Sequence, residues 1–180
     1  MADNHPSVAV IPERAVLVHI GMHKTGTTAL QSVLAARRNE LPAHGVVYPG
    51  LREAHHREAR SLTQARVGQG GRDAAPPPGL WSEFAASIAG VTERVVISSE
   101  FFSGARGDQP VRLVRDLGRD RTHILLGIRN LTETGVSTWQ QTLKQGRVST
   151  IDRWATQNIP RDGRPATTWR RRGMCAAPEE

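Results

Sequence analysis

Val16 to Ile20 is a short, nearly continuous apolar run that breaks at once into Gly21-Met22-His23-Lys24-Thr25-Gly26-Thr27-Thr28. A run of that length bounded by glycine reads as a buried parallel strand. The apolar residues that follow, Ala29, Leu30, Val33 and Leu34, recur at helical spacing and predict an inward helix face, with Arg37, Arg38 and Glu40 at the exposed end. A strand, a tight glycine loop and a helix in that order make an anion site. Backbone N–H groups turn inward, and the helix start adds unpaired donors and a favourable dipole. In such a loop Lys24 supplies a mobile positive charge, while Thr25, Thr27 and Thr28 supply short hydroxyl donors. Gly21 and Gly26 permit close backbone approach.

The same alternation recurs along the chain. Val46 to Tyr48, Val95 to Ser98 and His123 to Ile128 read as three further strands. Helices are expected over 80–89, with Leu80, Trp81, Phe84 and Ile88 on one side, from Pro110 with Val111, Val114 and Leu117 inward, and over 132–143. Four alternations of strand and helix predict an α/β fold with a parallel sheet covered on both faces. The expected organisation is a leader over 1–14, one domain over 15–150 and a polar, basic tail over 151–180. Within the domain, 51–79 is a variable insertion, with a surface helix in its first half and a loop from Gly68 to Gly79.

Composition bounds the function. Lys24 and Lys144 are the only lysines in a chain of formal charge +7, so arginine carries the positive charge. The arginines are scattered rather than set in a stripe with stacking groups, which argues against nucleic-acid binding. Cys175 is the only cysteine, excluding an internal disulfide. No apolar stretch approaches the roughly 18 residues of a membrane span, and a cytoplasmic location without membrane insertion is expected. His55 and His56 lack the spacing and company of a metal site, so no metal is expected.

The loop departs from the G-x-x-x-x-G-K-[ST] pattern of nucleoside-triphosphate sites. Gly21 and Gly26 keep the separation, but Thr27 stands where lysine is required, and the lysine has moved to Lys24. A nucleotide kinase or other phosphotransferase is therefore the minority reading, beside a remnant that only binds nucleotide. The string Lys24-Thr25-Gly26-Thr27-Thr28-Ala29-Leu30 resembles the 5'-phosphosulfate-binding loop of sulfotransferases, and the wider run from His19 is similar to bacterial sulfotransferase-like members.

That resemblance, over roughly residues 14–146, implies a three-layer α/β/α sandwich of the P-loop NTPase-like kind. It also implies 3'-phosphoadenosine 5'-phosphosulfate (PAPS) as sulfuryl donor. Arg129 at a strand end with Ser137 eight residues on matches the pair that holds the donor's 3'-phosphate in the family. Trp139, Gln140 and Gln141 resemble the run that follows in bacterial members. Ser98-Ser99-Glu100 is similar to a segment frequent there, and Glu100 matches the catalytic glutamate of members acting on sugars, which favours a carbohydrate hydroxyl as acceptor. The expected donor site is thus Gly21, His23, Lys24, Thr25, Gly26, Thr27, Thr28, Arg129 and Ser137, with Lys24 and Glu100 catalytic. His23, within the loop, is a candidate for contact with donor or acceptor, and His55 and His56 are candidates to line the acceptor pocket. Family members run on well past the end of this chain, so a truncated product is expected, with Arg170-Arg171-Arg172 as a stand-in for a missing basic loop.

Overall fold

A computed structural model describes residues 10–21, 25–64 and 75–158. Residues 1–9 of the expected leader, the loop residues His23 and Lys24, most of the glycine-rich stretch after Gly68, the arginine cluster at Arg170 and Cys175 lie outside the described residues.

Four parallel strands form one sheet in the order β2-β3-β1-β4. They are β1 (Val16–Gly21), β2 (Val46–Val47), β3 (Arg94–Ser98) and β4 (Thr122–Gly127). The first strand in sequence is thus central, with Val16 level with Val95 on one side and with Thr122 on the other. Successive side chains on a strand point to opposite faces. Val16 and Val18 of β1 and Val95 and Ile97 of β3 therefore share one face, and all four are buried. Three helices fill that face: α2 (His56–Thr63) with Ala59 and Leu62, α3 (Leu80–Ile88) with Trp81, Ala85 and Ile88, and α4 (Gln109–Leu117) with Leu113 and Leu117. Trp81 is wholly buried and donates its Nε1–H to Asp116 at 2.9 Å, which satisfies the polar edge of the ring. The opposite face carries His19 and Ser98, covered by α1 (Thr27–Ala36).

The element order follows the sequence reading, and several faces do not. Leu30 and Val33 of α1 are exposed, whereas Thr27 and Gln31 are buried. The helix is rotated because the Gln31 amide bonds into the sheet edge. In α4 Leu113, not Val111, points inward, since the bond between Asp116 and Trp81 sets that helix's rotation. The expected surface helix in the variable region is α2, and it is a core element with Ala59 and Leu62 buried. Arg38 is not at a free helix end. Its guanidinium donates to the carbonyls of Tyr48, Leu51 and Arg52 and lies 5.3 Å from the centre of the Tyr48 ring. It thereby pins the turn that leads to His55.

The sheet is covered less completely than expected. Among the described residues β4 is an outer strand, and Ile124, Leu125 and Leu126 are exposed at 52%, 44% and 55%, on both of its faces. Helix α5 (Leu131–Lys144) follows, with Asn130 capping it by accepting from Thr132 N–H. The stretch from Ile151, expected to be an irregular tail, begins with a helix, α6 (Ile151–Asn158), whose Trp154 is buried. No helix of the described residues is long and apolar enough to cross a membrane.

Candidate functional site

The C-terminal ends of β3, β1 and β4 lie side by side, where open parallel sheets place their ligand sites. In the middle is Gly21. A Cβ added there would stand 2.7 Å from Thr25 Oγ1 and 3.0 Å from Thr27 Cγ2, so glycine gives those side chains their room at the strand end and a larger residue would force them to shift. Gly26 closes the loop at φ +86°, a conformation other residues avoid, and starts α1 without a side chain of its own to occupy the first-turn N–H groups. Thr27 is buried and Thr28 exposed. The structure places Thr25 and Thr27 against Gly21, with Gly26 between them and Thr28 following on the exposed side, while His23 and Lys24 lie outside the described residues.

On one flank Gly127 is level with Gly21 across the β1–β4 ladder. A Cβ at 127 would come within 3.4 Å of both His19 Nε2 and Thr25 Oγ1. Arg129 follows two residues on, its Nε 2.7 Å from Glu133 Oε2 on the first turn of α5. Ser137 lies one turn beyond Glu133 on the same helix stripe, so Arg129 and Ser137 are carried on one side of α5 with a carboxylate between them. An anion that takes the Arg129 Nε–H competes with Glu133. Both partners of that pair are 45% or more exposed, and such pairs contribute at most about 1 kcal/mol, so displacement costs little.

On the other flank β3 runs out into Ser98, Ser99 and Glu100, where a short 3-10 turn, Glu100–Gly104, begins. Here the structure reveals a buried polar network. His19 Nδ1 is 2.8 Å from Ser98 Oγ, and Gln31 Nε2 donates to Ser98 Oγ at 3.1 Å and to Glu100 Oε2 at 3.4 Å. Burial holds His19 below the ordinary histidine range, with the Glu100 charge opposing it. The neutral ring spans the site floor from Ser98 to the neighbourhood of Gly127 and Thr25. The sequence reading passed over Gln31. Its signal was the spacing of Thr27, Gln31 and Leu34, a second helical stripe beside the more apolar one.

The two adjacent histidines have separate roles. His55 is buried and replaces a strand neighbour at the end of β3. Its N–H donates to Ser98 C=O, its Nδ1 accepts Ser98 N–H at 3.1 Å, and its Nε2–H donates to Pro49 C=O at 2.9 Å. Both ring nitrogens are committed, and burial depresses its pKa to about 4. His55 is therefore a structural imidazole and not an acceptor contact. His56, half-exposed, turns the other way. Its Nδ1 is 2.9 Å from Ser99 Oγ and 3.6 Å from Glu100 Oε2, and its ring meets the Phe101 ring edge-on at 5.3 Å.

Among the described residues no three His, Cys, Asp or Glu side chains are grouped to hold a metal ion. Fold and site together define a small α/β domain whose parallel strands end at one glycine-rich, hydroxyl-rich edge. Comparisons with protein-family models, curated proteins and solved structures find no match to the chain.

Proposed function

We propose that this chain is a PAPS-dependent sulfotransferase acting on a hydroxyl acceptor, with a carbohydrate the favoured class. The observation that carries the reading is the order of strand ends. The loop strand is central, Arg129 lies on its β4 side, and Glu100 lies on its β3 side. A donor anchored at the loop can reach Arg129 and Ser137 with its 3'-phosphate without crossing the carboxylate flank. An acceptor entering on that flank meets Glu100 and the sulfuryl group.

In the reaction, the acceptor oxygen attacks sulfur as its proton is removed on the Glu100 side, and the bond from sulfur to the 5'-phosphate oxygen breaks. Loop N–H groups, the hydroxyls of Thr25, Thr27 and Thr28, and the Lys24 ammonium stabilise charge on the transferring and leaving groups. Arginine offers a planar fork for the remote 3'-phosphate, which positions the donor rather than activating it.

The test is calorimetric titration with 3'-phosphoadenosine 5'-phosphate, ATP serving as competitor. The expected result is saturable binding that ATP does not displace, weakened roughly tenfold or more, about 1.4 kcal/mol, by Lys24→Ala and by Arg129→Ala. Unchanged affinity in Lys24→Ala overturns the site assignment.

A further inference from the structure

Glutamate at the end of β3 is the base that sequence similarity suggests, yet it is not the most accessible polar group there. The Glu100 side chain is 15% exposed and that of His56 is 38% exposed. Glu100 Oε2 is approached by Gln31 Nε2 at 3.4 Å and by His56 Nδ1 at 3.6 Å. Ser99 Oγ accepts from Phe101 N–H at 3.2 Å and stands 2.9 Å from the same His56 nitrogen. The Phe101 ring closes on His56 edge-on. One nitrogen of His56 is thus held by the β3 end, while Nε2 has no hydrogen-bond partner among the described residues. A histidine gripped at Nδ1 by a carboxylate and a hydroxyl, with Nε2 outward, has the geometry of an oriented general base.

We propose that His56 Nε2 takes the acceptor's proton, with Glu100 holding and charge-compensating the ring from behind. This rests on the sulfotransferase reading above. As the acceptor O–H breaks, its oxygen bonds to sulfur, and the proton passes to Nε2. The imidazolium Nδ1–H then faces Glu100 Oε2. The sulfur–oxygen bond to the donor breaks, and 3'-phosphoadenosine 5'-phosphate leaves with that electron pair. The proton departs from His56 to water. Glu100 is then a positioning residue, and Gln31 limits the positions its carboxylate can take. His55 cannot exchange roles with His56, because both of its nitrogens are bound into the β3 end.

The full chain is assayed with PAPS and two acceptors, N-acetylglucosamine and 4-nitrophenol, beside titration with 3'-phosphoadenosine 5'-phosphate. His56→Asn can keep the hydrogen bond to Ser99 but cannot carry the proton. His56→Ala opens a space for free imidazole. Both variants are expected to bind the bisphosphate within about twofold of wild type and to lose transfer by about 10²- to 10⁴-fold. Added imidazole should restore part of the rate in His56→Ala and none in Glu100→Ala, a response that a packing role would not give. Wild-type transfer rates in His56→Asn, no imidazole rescue, or bisphosphate binding without transfer to either acceptor overturn the inference while donor binding stands. Absence of bisphosphate binding by the wild-type chain overturns the sulfotransferase reading and the inference with it.

Discussion

Acidification should unfold this domain through one histidine in particular. His55 is buried with its Nδ1 accepting Ser98 N–H and its Nε2–H donating to Pro49 C=O, so protonation breaks the bond to Ser98. Its folded pKa is depressed to about 4, chiefly by burial, against roughly 6.5 for a histidine in an unfolded chain. The unfolded state therefore binds the proton first as pH falls. The contribution is intact above the unfolded value, is lost progressively between the two, and levels off below about 4. Integrating the linkage relation between those two values gives a loss of about 2 kcal/mol between about pH 7 and about pH 5, rising to about 3 kcal/mol near pH 4. The assay is urea denaturation at a series of pH values for the wild type and His55→Gln. The variant lacks the bond geometry and should be less stable by about 1–3 kcal/mol at neutral pH, but its stability should fall much less steeply through the histidine range. Parallel curves for the two proteins would refute the reasoning, since other groups would then be responsible for the acid sensitivity.

Three further outcomes are expected. Gly21→Ala should fold and lose bisphosphate affinity by tenfold or more, about 1.4 kcal/mol in titration, because its Cβ would stand 2.7 Å from Thr25 Oγ1 and push the loop away. Gln31→Leu should destabilise the chain by about 1–3 kcal/mol in urea denaturation, since Ser98 and Glu100 both lose a buried donor. Leu126→Lys, at a 55% exposed position on the outer strand, should leave stability within about 0.5 kcal/mol and raise the concentration at which light scattering detects association.

The sequence carried the element order because each strand is a short apolar run ended by glycine or polar residues, a local signal. It carried Gly21 for the same reason: the steric demand at a strand-to-loop corner is met within a few residues. Helix rotation was harder. Leu30 and Val33 form the more apolar stripe of α1, yet the stripe that faces the sheet holds Thr27 and Gln31, because an amide bonding to Ser98 and Glu100 outweighs a modest difference in hydrophobicity. The composition of helix α2, with His56, Arg57 and Arg60, reads as a surface helix, whereas its burial depends on the β3 end more than thirty residues away. The division of labour between His55 and His56 is not local at all. One side chain completes the backbone pairing of Ser98 and the other meets Glu100, and nothing in the dipeptide distinguishes them.

The central position of β1 has a consequence for how the chain is made. The strand leaves the ribosome first, but its partner residues Val95 and Thr122 come 79 and 106 residues after Val16. At about 5–20 residues per second, the Val-Leu-Val segment waits for roughly 4–16 seconds with neither neighbour available. During that interval it is an unpaired apolar ribbon, and the glycine corner at its end has no neighbouring strand beside it. Fragments that stop short of β4 should therefore be insoluble before they are inactive.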